Sequence, residues 1–187
     1  MKEKISIGVL FGVLFVSSFS QAGWNPFHTE TATKQNINNP KVAEAIASFK
    51  NDNPKLKYFF KKAYGYAIFP TVGKGGIGIG GAYGKGEVYK KGKLLGSSSL
   101  TQLTIGFQLG GQAYSELIFF RDKNALNHFT SGSFAFDAQA SAVAVTAGTS
   151  ADADYNNGVA IFTRAKGGLM YEASVGGQKF SFKPVSK

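Results

Sequence analysis

The stretch that decides the fold is GYAIFPTVGKGGIGIGGAYGKG, residues 65–86, in which glycine alternates with apolar side chains. A short apolar run at 67–69 is ended by Pro70, and every second residue over 76–83 is glycine or alanine. Alternation with a period of two predicts a β-strand, and a face of glycines lets another backbone or a bulky ring pack very close. The basic sequence KKGK that follows at 90–93 predicts a hairpin turn.

Further strand signals follow along the chain. Leucine, isoleucine and phenylalanine alternate with polar residues or glycine over 102–109, which predicts a strand with one dry and one wet face. Residues 114–120 predict a buried strand, residues 123–129 a short helix, and the small-residue alternation of 134–148 another strand. Because so many strands need their edges hidden, we expect an α+β fold, mostly antiparallel, closed like a barrel or sandwich.

The segment at 65–86 has an echo towards the carboxyl end of the chain. Residues 158–179, GVAIFTRAKGGLMYEASVGGQK, repeat the order G-x-A-I-F, then K-G-G, then a strand. Two similar β-hairpins in a pseudosymmetric arrangement are one interpretation, and chance similarity in a chain with 24 glycines is the other. The long spacing indicates a duplication inside one domain and not a solenoid.

Two short helices are expected ahead of the sheet. Asn39 can cap the first helix and Pro40 suits its first turn. Apolar residues then recur at helical spacing, at Val42, Ala45, Ile46 and Phe49. A second start signal, Asn53-Pro54, opens the segment PKLKYFFKKA at 54–63.

This second segment carries the candidate binding residues. The candidate apolar anchors are Leu56, Phe59 and Phe60, flanked by Lys55, Lys57, Lys61 and Lys62. Such a segment suits a bilayer interface, with phenylalanine at the acyl boundary and lysine on anionic headgroups. The alternative is that the phenylalanines dock on the sheet while the lysines face water. Additional basic candidates near the predicted hairpin end are Lys85, Lys90, Lys91 and Lys93.

Residue inventory argues against catalysis. The 187 residues include no cysteine and two histidines, which excludes disulfides, cysteine nucleophiles and cysteine-ligated metals. The formal G-x-G-x-x-G match at 76–81 is followed by more strand, whereas a nucleotide loop needs a helix there. We therefore expect no enzymatic activity and no cofactor, and His128 is expected to be a surface or half-buried side chain.

The first residues have the features of a secretory signal. Lys2 and Lys4 precede an apolar run over 5–19, and small residues lead to a cleavage point after Ala22. An uncleaved membrane anchor is the alternative, although the run is shorter than the roughly 20 residues of a spanning helix. We expect an exported protein, periplasmic or secreted, with a flexible lead-in at 23–39 and one domain at 40–187.

The charge balance points to an anionic partner. The whole chain has 21 basic against 11 acidic side chains, and removal of residues 1–22 leaves 19 against 10, a net charge of +9. Outside the cytoplasm, anionic lipid headgroups or other envelope polyanions are expected partners, and nucleic acid is not. Solubility of a β-rich protein is the alternative reason for this charge.

Several segments together resemble the SYLF domain family, the lipid-binding, Ysc84-type actin-binding domain. The resemblance covers roughly residues 42–182 and is most specific at AIFP (67–70), GIGIGGAYGKG (76–86) and KGGLM (166–170). It implies a single lipid-binding module without catalytic residues. Eukaryotic members bind phosphoinositides, often with an amphipathic helix ahead of the sheet, and some bind actin filaments; bacterial members are typically exported. The family often has an aromatic and proline-containing stretch where this chain has LLGSSSLTQL (94–103), so a binding role for that stretch is not expected.

Residues and resemblance together predict non-catalytic binding of anionic phospholipid by a peripheral protein at an envelope membrane. An exported protein meets neither phosphoinositide nor actin, so anionic phospholipid headgroups remain as the expected ligand. The alternative is a structural or scaffold protein that uses its glycine-rich strands to pair with a protein partner or with itself.

Overall fold

The computed structural model describes residues 38–77, 79–105, 110–132, 134–135, 143–144, 155–167 and 177–186. The predicted signal and all but the last residues of the predicted lead-in lie outside these ranges. The helices are α1 (Pro40–Asp52), α2 (Leu56–Lys62) and α3 (Lys123–Thr130). The strands are β1 (Gly65–Ile77), β2 (Ile79–Lys90), β3 (Lys93–Ile105), β4 (Gly110–Phe120), β5 (Val143–Ala144), β6 (Val159–Gly167) and β7 (Gln178–Pro184). The predicted α+β class is confirmed.

All seven strands belong to one sheet, in the order β5-β6-β4-β1-β2-β3-β7. Neighbouring strands are antiparallel except for β5 and β6, which are parallel. The predicted antiparallel architecture is therefore confirmed. The predicted closure is wrong for the described part of the chain, because the sheet is open with β5 and β7 at its edges.

The two predicted amino-terminal helices are present, and their local signals work as expected. The Asn39 side chain accepts a hydrogen bond from the Lys41 N–H at 3.1 Å, capping α1, and the predicted apolar stripe of α1 is buried. Between the helices, the Asn53 side chain accepts a bond from the Lys55 N–H at 3.0 Å. Because the Asn39 cap and the Asn53 turn are encoded within a few residues, the sequence alone locates both helices.

The strand boundaries around the glycine-rich segment differ from the prediction. β1 continues through Pro70, where its pairing with β2 and β4 shifts register. A proline lacks the N–H that a regular ladder needs, so it is accommodated at such an irregularity. The single strand predicted over 76–83 is also wrong, since Ile77 ends β1, Ile79 begins β2 and the two are paired antiparallel.

The predicted basic turn between β2 and β3 is confirmed. Lys91 and Gly92 both have positive φ, +48° and +78°, as a two-residue hairpin turn with right-handed strand twist requires. Lys90 is paired with Lys93 across this turn.

The dry and wet faces predicted for 102–109 are reversed where that stretch is described. On β3 the Gln102 side chain is buried, with 5 % exposure, whereas Leu103 is 72 % exposed. Residues 106–109 lie outside the described ranges. The stretch 94–103, which departs from the family resemblance, is part of β3 and pairs with both β2 and β7.

The two echoing segments flank the same strand. Residues 67–69 of β1 and residues 160–162 of β6 both pair with β4, but their registers on β4 differ by one residue. Phe69 therefore packs on one face of the sheet and Phe162 on the other. The remainder of the second predicted hairpin, and most of the strand predicted at 134–148, lies outside the described residues, so the duplication stays a prediction.

The sheet curls so strongly that distant strands meet on its concave side. Phe69 on β1 and Phe180 on β7 have ring centroids 5.6 Å apart, although three strand spacings would separate them by roughly 14 Å in a flat sheet. Phe129 of α3 completes this core, 4.8 Å from Phe120 on β4 and 5.1 Å from Phe180. We call this concave side the inner face.

The opposite side, the outer face, is covered in part by α1 and α2. Val42, Ile46 and Phe49 of α1 pack there against aromatic and aliphatic side chains from β1, β2, β4 and β6. One sheet thus has two cores, an inner one closed by α3 and an outer one closed by α1 and α2.

The Gly86→Ala substitution should destabilise the protein by about 1–3 kcal/mol, because overpacking forces neighbours to move. A Cβ at Gly86 would lie 2.5 Å from the Ile68 carbonyl oxygen and 2.6 Å from the Phe69 ring. Gly73→Ala is the matched control, since no atom lies within 4 Å of its added Cβ. The free energy of unfolding of the Gly73→Ala variant should equal that of the parent protein or exceed it by up to about 1 kcal/mol. Urea denaturation of both variants tests this, and equal losses would contradict the packing described.

Candidate functional site

The predicted apolar anchors on α2 face the sheet. Leu56 is fully buried, and Phe59 and Phe60 are half-buried. The Phe59 ring lies 5.3 Å from Phe119 and 5.2 Å from Phe162, and Phe60 lies 4.9 Å from Phe119. In this conformation the three side chains belong to the outer core, which agrees with the alternative that the phenylalanines dock on the sheet. A membrane would reach Leu56 only if α2 left the sheet.

The polar side of α2 is fully accessible. Lys55, Lys57, Lys61 and Lys62 are all exposed. Tyr58, with 64 % exposure, is the large apolar side chain that α2 presents to solvent, and residue patterning had not singled it out. Burial, and to a smaller degree the charge of Lys57, lowers the pKa of Lys50 at the end of α1.

A second group of cations surrounds Tyr64, which links α2 to β1. The ammonium groups of Lys90 and Lys91 lie 5.1 Å and 5.9 Å from the centre of its ring. A hydrogen bond with Lys90 is the main cause that lowers the pKa of the Tyr64 hydroxyl, and the charges of Lys90, Lys123 and Lys91 act in the same direction against the effect of burial. Cations from two segments, the β2–β3 turn and the start of α3, therefore converge on one tyrosine.

These contacts place the end of α2 and the β2–β3 turn at the same end of the sheet. Gly65, directly after Tyr64, is paired with Lys90 on one side and with Phe120 on the other. The structure therefore brings together cations from α2, the turn and the β4–α3 junction. We call this surface the basic end; it comprises Lys61, Lys62, Lys90, Lys91, Lys93, Arg121 and Lys123.

Lys85 is the candidate that the structure separates from the others. It is exposed on the outer face of β2, paired with Thr71 and Ser99. Five residues along a strand place it about 17 Å from Lys90. The predicted grouping of Lys85 with the hairpin end is therefore wrong, while Lys90, Lys91 and Lys93 do lie there.

Arg121 and Lys123 were missed by reasoning from the sequence. They follow the buried strand that ends at Phe120 and flank Asp122, whose side chain caps α3. A signal for them was present in the sequence, because they lie at the junction between the predicted buried strand and the predicted helix. In the structure, β4 ends beside the start of β1. Arg121 also pairs with Asp122 at 3.3 Å, in an exposed position.

A shallow depression of about 550 Å³ adjoins the basic end, lined by residues that include Arg121, Asp122, His128 and Asn157. His128 is exposed, with its ring 5.1 Å from Phe134, as the surface-histidine prediction has it. No three of the His, Asp and Glu side chains in the described ranges come together as a metal site. No described helix is both long enough and apolar enough to cross a membrane.

The inner face carries a buried polar cluster that the sequence did not reveal. Gln178 of β7 donates from Nε2 to the Glu116 carboxyl at 2.9 Å and to the Tyr114 hydroxyl at 3.2 Å. Burial raises the pKa of Glu116 to about 8, against the opposing effect of the Gln178 hydrogen bond. Burial thus favours the protonated carboxyl, and the cluster joins β4 to β7 across the concave side of the sheet.

The chain is similar to a described family and to a curated protein. The family model for Ysc84, described as Las17-binding protein actin regulator, matches residues 101–184, which run from β3 to β7. Beta cell expansion factor A of Aeromonas veronii is 28 % identical over 151 residues, which cover 76 % of this chain and 54 % of that protein. The chain thus matches about half the length of this relative.

The Phe60→Ala substitution should lower the free energy of unfolding. Truncation of a fully buried phenylalanine costs about 3–5 kcal/mol, and the loss here should be smaller because Phe60 is half-buried. Its ring contacts Tyr66 at 5.1 Å and Phe119 at 4.9 Å. Tyr58→Ala, at an exposed position of the same helix, should change stability by less than about 0.5 kcal/mol. Thermal and urea unfolding compare the two variants. Equal stability of the two would contradict the packing of Phe60 on the sheet and favour its prediction as a membrane anchor.

Glu116 should make stability depend on pH. Between about 4.5, its ordinary pKa, and about 8, the folded protein holds a proton that the unfolded chain has released. The free energy of unfolding should therefore fall as the pH rises through this window, by at most about 1.4 kcal/mol per pH unit. Glu116→Gln should remove this slope while other groups titrate unchanged. Urea titrations at both ends of the window measure it, and identical slopes in the two proteins would refute the assignment.

Proposed function

We propose that the chain binds the surface of anionic phospholipid membranes and catalyses no reaction, which its similarity to the Ysc84 (SYLF) family supports. The observation that carries the proposal is the basic end, where cations from α2, the β2–β3 turn and the β4–α3 junction form one surface. A family of lipid- and actin-binding domains makes a binding role the general expectation, and the charge selects an anionic ligand.

The arrangement of these lysines favours a membrane over a small ligand. The α2 and turn lysines are solvent-exposed or half-buried, and none of them lines the depression described above. Each lysine near a charged leaflet contributes on the order of 1 kcal/mol. Several such contacts acting together give useful affinity for a surface of many phosphates, and they weaken with salt.

Aromatic side chains among the lysines support the same conclusion. Tyr58 projects from α2, and Tyr64 lies under the ammonium groups of Lys90 and Lys91. Tyrosine is favoured where one end of a side chain is apolar and the other wet, as at a bilayer surface. In this proposal α2 stays docked on the sheet, and its lysines, not its phenylalanines, meet the lipid.

The proposed setting is an envelope membrane reached by export, as the amino-terminal sequence predicts. A protein partner is the second candidate, favoured by the description of the family as a Las17-binding actin regulator. The basic end would then meet an acidic protein surface. The two candidates differ in whether vesicles without protein suffice for binding.

The test is co-sedimentation of residues 23–187 with vesicles of phosphatidylglycerol and phosphatidylcholine in equal parts, over a range of salt. Replacing Lys55, Lys57, Lys61 and Lys62 by Gln should weaken binding by at least about tenfold, and flatten its salt dependence, as lost electrostatic contacts predict. Replacing Lys90, Lys91 and Lys93 by Gln should act in the same direction.

The control carries Lys41→Gln, a charge change at an exposed position outside both lysine groups, and should lose less per charge removed. Vesicles of phosphatidylcholine alone should bind none of the proteins strongly. Unchanged binding of the α2 variant, or equal loss per charge in the control, would contradict the proposal.

A further inference from the structure

The helices leave part of the outer face bare. α1 and α2 cover side chains such as Tyr66, Tyr89 and Phe119, whereas the outward side chains of β2, β3 and β7 farther from the turn are exposed. We call this bare region the open face. Its exposed side chains are Tyr83, Lys85, Thr101, Leu103, Lys179 and Lys183, with Ser99 half-buried among them.

Strand register fixes how these side chains are arranged. Tyr83 is paired with Gly73 on one side and Thr101 on the other, and Thr101 is paired with Lys179. Leu103 is paired with Gly81, one row farther along. Tyr83 and Leu103 are therefore diagonal neighbours on adjacent strands, roughly 7–8 Å apart.

The glycines beside Tyr83 and Leu103 leave the two side chains projecting from bare backbone. An added Cβ at Gly73 would meet no atom within 4 Å, and at Gly81 it would meet only the Gln102 carbonyl oxygen, at 3.3 Å. Tyr83 is 52 % and Leu103 72 % exposed. Within the described residues, the paired glycine positions therefore contribute no side chain that could cover Tyr83 or Leu103.

The polarity of this end of the sheet is inverted. Gln102 lies inside and Leu103 outside, and Glu116 and Gln178 on the inner face are also buried. A slip of one residue would exchange the faces of β3 and expose Leu100, which is fully buried, so the register that buries Leu100 leaves Leu103 in water. The Leu103 side chain itself gains nothing from this placement, and an apolar surface brought from outside would bury it.

The charges around the apolar pair select the partner. Lys85 follows Tyr83 by two residues on β2, and Lys179 lies in the same row as Tyr83. The nearby Glu87 carboxylate is engaged by Asn39 and Tyr89. Protein interfaces are depleted in lysine, whereas a lipid interface offers acyl chains to Tyr and Leu and phosphates to Lys.

We propose that Tyr83 and Leu103 enter the acyl boundary of an anionic bilayer while Lys85 and Lys179 contact its headgroup phosphates. The inference rests on the proposed membrane binding but places the apolar contact on the sheet and not on α2. Lys85, which the structure separates from the basic end, has its role here.

Because the sequence has no cysteine, a single introduced cysteine can be labelled specifically. Leu103→Cys labelled with an environment-sensitive fluorophore should brighten and shift to the blue on the phosphatidylglycerol-containing vesicles, and lipid-borne quenchers should quench it. The same label at Ser131→Cys, exposed directly after α3 and about two helical turns from Lys123, should not respond. No response at position 103 in a protein that co-sediments with the vesicles would overturn the inference.

A second measurement uses unlabelled protein. Tyr83→Ser combined with Leu103→Ser should weaken vesicle binding by roughly tenfold or more, the loss expected when two interfacial side chains are truncated. Val185→Ser, at an exposed apolar position beyond β7, should bind as the parent does. Both substitutions in the double variant are at exposed sites, so it should remain folded.

The outcomes separate the two proposals. If the double variant binds normally while the α2 lysine variant does not, this inference fails and the proposed function stands. If the parent protein itself does not bind, the proposed function fails. If the double variant instead changes self-association seen by light scattering without lipid, the open face contacts a second copy, and the inference is again overturned.

Discussion

Phe180 on β7 reaches both Phe69 on β1 and Phe129 on α3 because the sheet curls through its full width. That curvature is the constraint on which the other features depend. It closes the inner core around α3, and it brings Gln178 to the Glu116 carboxyl across four strand spacings. Close approaches at Gly86 and Gly96, where a Cβ would collide with neighbouring backbone, show where glycine permits this packing.

The same curvature decides what the outer face can offer. α1 and α2 fill the outer core near one end of the strands, so Leu56, Phe59 and Phe60 act as structural residues and the lysines of α2 remain on the surface. The rest of the outer face, over β2, β3 and β7, has exposed lysines around Tyr83 and Leu103. Exposed lysines therefore lie both on α2 and on the sheet, whereas Tyr83 and Leu103 are exposed on the sheet and the phenylalanines of α2 are not.

Reasoning from the sequence located what short-range chemistry encodes. The Asn39 cap, the buried stripe of α1, α3 and the Lys91–Gly92 turn are each specified within a few residues, and each is present. Predictions from the sequence were wrong where the outcome depends on how strands pair across the sheet. Pro70 sits inside β1 at a register shift, the echoing segments occupy opposite faces of β4, and the predicted faces of β3 are reversed at Gln102 and Leu103. Of the candidate site, the exposed lysines were found, but Tyr58, Arg121 and Lys123 were not, and Lys85 was placed with the wrong neighbours.

By itself the sequence determined the class of protein: an α+β domain without cysteine, with two amino-terminal helices, glycine-rich antiparallel strands and a large excess of positive charge. Periodicity, caps and net charge are local or additive quantities, so they can be counted along a chain. Only the tertiary structure decided which lysines share a surface, which phenylalanines are core, and that a glutamic acid is buried within the curled sheet, where burial raises its pKa. Those properties depend on strand order, register and curvature, which arise from contacts between residues far apart in the chain.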